Sequence, residues 1–182
     1  EMRLLIQVTG FALLMLLAGI SVQATDNELD RLFSQLKQAP DEITARTIEE
    51  KIWSQWFNSG NAEINALMEI AMAQRNVYDF AGALETLDRL TKADPDYAEA
   101  WNQRATIYFF REEYDQSLEA IARTLELEPR HFGAMAGRVV IRLRQLKPAL
   151  ARQNLLIALE INPWLRERAL FPDLGPPGPE AN

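Results

Sequence analysis

The chain has 182 residues, 48% of them apolar and 25% charged, with a formal net charge of −7, no cysteine and a single histidine, His131. That is enough apolar chain for one globular core, whereas the missing sulfur excludes a disulfide framework, a thiol nucleophile, a zinc ribbon and a lipidated N-terminal cysteine. One histidine also excludes a histidine metal cluster or an acid–base histidine pair, and a pI near 4.9 argues against broad nucleic-acid binding.

Residues 1–24 have the pattern of an export signal: Arg3 gives the positive start, Phe11 to Ile20 the apolar run, and Val22-Gln23-Ala24 a site for signal peptidase. Cleavage after Ala24 predicts a mature chain starting at Thr25 in the periplasm. The alternative is an uncleaved anchor, but Gln7, Thr9 and Gly10 dilute the seventeen residues from Leu4 to Ile20, fewer than the roughly 20 apolar residues of a spanning helix.

Residues 25–63 predict a helical hairpin. Leu29, Leu32, Phe33 and Leu36 share helical spacing, as do Ile43, Ile48, Ile52, Trp53 and Trp56. Pro40 separates the two runs and Ser59-Gly60-Asn61 stops the second. The expected role is a cap on the open end of a helical stack, or a decayed repeat.

From residue 64 the chain is periodic: Pro95, Pro129 and Pro163 stand 34 residues apart. With each proline at position 32, units span 64–97, 98–131 and 132–165. Small residues fall into columns at Ala71, Ala105 and Val139 and at Ala83, Ser117 and Ala151. Large apolar ones align at Leu87, Ile121 and Leu155. Two helices approach closely only where side chains are small at the crossing, so each unit predicts an antiparallel helix pair ended by its proline.

The middle unit, with Trp101, Ala105, Tyr108, Ser117 and Pro129, resembles a tetratricopeptide repeat at nearly every signature position. The flanking units are weaker, with Leu67 and Met135 in the tryptophan place and Gln74 and Arg142 in the tyrosine place. The arrangement as a whole resembles small exported repeat proteins of Gram-negative bacteria. The resemblance implies an all-α fold, a right-handed solenoid of helix pairs with the N-terminal hairpin as a cap. It also implies a concave groove lined by the first helix of each unit. The inner positions of that register give a partner-binding groove of Met68, Met72, Asn102, Thr106, Phe109, Phe110, Val140, Leu143 and Arg144. Adaptable methionines and large aromatics suit an apolar or amphipathic protein segment. Adjacent helical residues diverge by about 100°, so Phe109 and Phe110 cannot both be core. The places where family members clamp a terminal carboxylate hold Met68, Met72, Gln103, Gly133 and Gly137 here, so that sub-function is not expected.

Charge is uneven: residues 25–129 carry 10 basic and 21 acidic side chains, whereas 130–159 carry six basic and none acidic. Such a dipole steers an acidic partner or packs copies head to tail, unless these are solvated arginines paired with acids of the second unit. The stems of Arg104 and Arg138 share a column that is usually apolar and must send their guanidinium groups to acids or carbonyls. Glu49-Glu50, Glu112-Glu113 and Asp94-Asp96 occupy positions that solvation explains, and His131 sits where a cap role outweighs catalysis. Residues 166–182 predict a short cap helix up to Phe171 and then a flexible proline-rich tail. The expectation is a non-enzymatic protein- or peptide-binding scaffold of the periplasm. It needs no cofactor or metal, no small-molecule substrate, no nucleic acid and, after signal cleavage, no membrane. The alternative is a structural, membrane-tethered or self-associating subunit of an envelope complex; homo-oligomers fit either reading.

Overall fold

Apolar residues recurring every three to four positions give helices throughout, and no strand forms among the residues that the computed structural model describes, 28–176. The proposed signal segment and the last six residues lie outside them. Eight α-helices run in chain order among the described residues: α1 over 28–37, α2 Glu42–Trp56, α3 Ala62–Asn76, α4 Phe80–Ala93, α5 Ala98–Phe110, α6 Tyr114–Leu127, α7 Phe132–Arg144 and α8 Pro148–Ile161. Two short 3₁₀ turns, Arg166–Leu170 and Pro172–Leu174, close the described chain. None of these helices is long and apolar enough to cross a membrane.

Helices α3 to α8 form three antiparallel pairs stacked side by side. The small columns lie at the crossings: Ala71, Ala83, Ala105, Ser117, Val139 and Ala151 are all buried, as are Leu87, Ile121 and Leu155. Ser117 ties α6 to α5 by donating its hydroxyl to the Ala105 carbonyl at 2.7 Å. Each proline sits two residues past a second helix, and the intervening Asp94, Glu128 and Asn162 take extended dihedrals with φ of −136°, −131° and −130°. A residue before proline is driven there because the proline ring clashes with the helical conformation. Within each pair the first helix ends on a left-handed residue, Tyr78, Glu112 or Leu146. The next amide in each case reaches back to Gln74, Tyr108 or Arg142, capping the last turn.

The N-terminal hairpin forms, but its seat differs from a cap on the free end of the first pair. Its apolar face, with Leu32, Phe33, Leu36, Ile48, Ile52 and Trp56, joins Phe132, Ala136 and Ala158 of the last pair and Trp164 and Leu165 beyond it in one buried cluster. The C-terminal end of α2 therefore lies between the first and third pairs, with Trp56 against the third and the following Phe57 beside the first. A mostly apolar helix face must be covered, and here Phe132, Ala136 and Ala158 of the last pair cover it. Polar contacts fix the seat: Arg46 donates to the Trp164 carbonyl at 2.9 Å, and Asn162 donates to Glu49 at 2.6 Å.

The short cap expected before Phe171 forms as the 3₁₀ helix Arg166–Leu170, whereas the proline-rich stretch after it is not free at its start. Phe171 and Leu174 pack on Val139, Ala151 and Leu155, Arg168 donates to the carbonyls of Leu174 and Gly175, and Asp173 pairs with Arg152 at 2.7 Å. The segment covers an apolar end of the last pair that a further repeat would otherwise occupy.

Candidate interaction groove

The inner face of the stack is built from the first helices of the pairs. Their inner positions and the C-terminal end of α2 enclose an open hollow of about 590 Å³. Met72 and Arg75 of α3, Thr106 and Phe109 of α5, and Val140 of α7 face it. Trp53 and Phe57 close one side and Glu167 another. Two glycines of α7, Gly133 and Gly137, shape its floor. A Cβ on Gly133 would lie 2.4 Å from the Trp53 ring, so the absence of a side chain there is what lets the indole settle on α7.

Of the nine residues taken from the register, Met72, Asn102, Thr106, Phe109 and Val140 meet at this hollow. Met68 lies in an adjoining recess with Phe57 and Asn65 and is itself buried. The other three stand elsewhere. Phe110 points away, half exposed, with its ring stacked 5.8 Å from that of Phe80 at the turn of the first pair. Leu143 packs in the core of the third pair, and Arg144 is exposed at its turn. Leu143 occupies the register position of Phe109, 34 residues on, yet only Phe109 lines the hollow.

Beneath the hollow runs a buried polar chain that sequence reasoning missed. His131 caps α7, its Nδ1 accepting from the Ala134 amide at 3.1 Å. Its Nε2 faces the Glu99 carboxylate of α5 at 2.8 Å, both side chains being fully buried. Nδ1 as acceptor puts the proton on Nε2, so the imidazole donates to Glu99. Asn102 and Gln103 also donate to that carboxylate, and Arg75 donates to the Gln103 carbonyl at 2.6 Å. Burial pushes the Arg75 guanidinium below its ordinary value, with the Glu99 charge opposing that shift. A buried carboxylate is costly unless every lone pair finds a donor, and the chain from Arg75 through Gln103 to Glu99 and His131 meets that need. His131 at a unit boundary and Glu99 at an inner position were the available signals; only their proximity makes a network.

The charge expectation is modified. Arg130 pairs with Asp30 of the hairpin as well as Glu128, and Arg152 pairs with Asp173. Arg138, Arg142, Arg144 and Lys147 form no ion pair among the described residues. Arg104 reaches Asp88 of α4 at 3.3 Å, whereas Arg138 has only burial and the nearby Arg142 charge, which together lower its pKa.

No protein-family model matches the chain. It is 43% identical over 113 residues to a TPR repeat-containing protein of Rhizobium etli, a match covering 62% of this chain and 55% of that protein. The chain thus spans about half the length of the curated relative it matches. In fold it is similar to the solved structure of a MamA RS-1 ArsTM double mutant, with a TM-score of 0.51 and 18% identity over 80% of this chain and 78% of that one.

Proposed function

We propose that the protein is a non-enzymatic interaction scaffold that captures a partner segment in the hollow beside α2, a reading supported by its similarity in sequence to a TPR repeat-containing protein and in fold to the MamA structure. The observation that carries this reading is the hollow itself: Met72, Phe109, Val140, Trp53 and Phe57 come from separate parts of the fold to make one largely apolar, half-open surface. Such a preformed concavity orders a partner helix or extended peptide at little conformational cost to itself. The export pattern of residues 1–24 supports a periplasmic site of action as part of the same proposal.

Selection from a random peptide display library followed by calorimetry tests it. Apolar or amphipathic sequences should be enriched, and Phe109→Ala/Val140→Asp should weaken their binding at least tenfold while circular dichroism stays unchanged. Equal affinity for the folded variant would reject groove capture. Sequencing the N-terminus of the native protein tests export, with Thr25 expected.

A further inference from the structure

The turns joining the two helices of each pair carry a feature that the groove does not use. Tyr78, Glu112 and Leu146 stand 34 residues apart, all with positive φ, of 63°, 61° and 57°. This is the helix-ending position where glycine is usual, because a Cβ is strained in the left-handed region. Two of the three sites instead hold large apolar side chains, and these point into solvent: Tyr78 is 80% exposed and Leu146 88%. Val77, Phe110 and Leu150 are exposed beside them. The turns of the first two pairs are in contact through Tyr78, Phe80 and Phe110, with ring centroids 5.9 and 5.8 Å apart, so these tips form one edge of the stack.

Strain at a functional site persists when the side chain is needed there. The tips are knobs rather than a hollow, and a protein partner would have to supply matching sockets. A lipid interface accepts protruding apolar groups without shaped complementarity and favours tyrosine at its polar boundary. The third turn adds charge: Arg144 and Lys147 are exposed on either side of Leu146, and neither is ion-paired among the described residues. No acidic residue occurs between 130 and 159. At the other tips, Asp79 is engaged in capping α4 and Glu113 is paired with Arg111, while Glu112 is exposed with no ion pair among the described residues, so the positive charge of the edge is concentrated at the third turn. We propose that this turn edge docks on an anionic bilayer surface, with Leu146 and Tyr78 entering the interface and Arg144 and Lys147 meeting the lipid phosphates.

The absence of cysteine makes the test local. The full chain carrying Leu146→Cys, labelled with an environment-sensitive fluorophore, is titrated with phosphatidylcholine vesicles with and without the anionic lipid phosphatidylglycerol. The same label at Ile43→Cys, an exposed hairpin position, serves as control. At least a threefold emission increase is expected at Leu146 with anionic vesicles, abolished by high salt, and none at Ile43. In a second protein, Tyr78→Gly/Leu146→Gly labelled at Leu150→Cys, the vesicle response should fall at least fivefold relative to the Leu150→Cys parent, with no loss of thermal stability because the strain is relieved. Equal responses at Leu146 and Ile43, a response without lipid that grows with protein concentration and so reports self-association, or an undiminished response in the glycine variant would each overturn the proposal.

Discussion

The imidazole of His131 lies flat against the indole of Trp56, with centroids 4.1 Å apart and planes 12° from parallel. With the Trp53 ring edge-on to the same imidazole, this contact helps join the N-terminal hairpin to the cap of α7, and through Glu99 to α5. Trp56→Ala should destabilise the fold by about 3–5 kcal/mol, as for a buried aromatic. A Trp56→Ala/His131→Ala cycle in urea should return a coupling of about 0.5–1.5 kcal/mol. Strict additivity would show that the stack is incidental.

Gly133→Ala adds a methyl where Trp53 already lies, 2.4 Å from the new carbon. Alanine favours the helix by up to about 1 kcal/mol, but overpacking costs about 1–3 kcal/mol, so net destabilisation is expected. Hydrogen exchange should accelerate over residues 28–57 first. In a Trp53→Ala background the same change should become neutral or stabilising. Persistence of the full penalty there would place its cause outside this contact.

Glu99→Ala leaves His131 Nε2, Asn102 and Gln103 without their buried acceptor. A loss of about 3 kcal/mol or more is expected, with Glu99→Gln costing less because one oxygen remains to accept. Nitrogen chemical shifts of the His131 ring at neutral pH should show Nε2 protonated and Nδ1 bare. The opposite tautomer would contradict donation from His131 to Glu99.

Asp88 accepts from Lys92 and Arg104, whose hydrogen bonds hold its carboxyl below the ordinary value. Asp41 is held low by the Thr44 amide that it caps. A carboxyl with a depressed folded pKa contributes stability above its unfolded value, about 3.9, and that contribution disappears as the pH falls through the folded value. Stability should therefore decline on acidification from about pH 5. Asp88→Asn should be less stable than wild type at neutral pH and show a shallower acid limb in thermal melts. An acid limb parallel to wild type would exclude Asp88 as a contributor.

The helix pairs were legible in the sequence because their causes are local. The prolines at 95, 129 and 163 act on the residue before them, and a small side chain such as Ala83 or Ser117 marks a crossing wherever the pair is placed. The inward row of Met72, Asn102, Thr106, Phe109 and Val140 was legible only through the resemblance to tetratricopeptide repeats, whose register names the inner positions. That register does not hold at Phe110, Leu143 and Arg144, and Leu143 leaves the hollow for the core of the third pair although its equivalent Phe109 lines it.

By itself, then, the amino-acid order determined a run of helical hairpins in register. Only the tertiary structure decided that the end of α2 lies between the first and third pairs, that Trp53 meets Gly133, that His131 donates to Glu99, and that Phe171 and Leu174 seal the last pair. The physical reason is range. Periodicity encodes contacts within a turn or between adjacent units, whereas partners more than 70 residues apart in the chain, such as Trp56 and His131, are chosen by the shape and apolar area that the assembled stack leaves open.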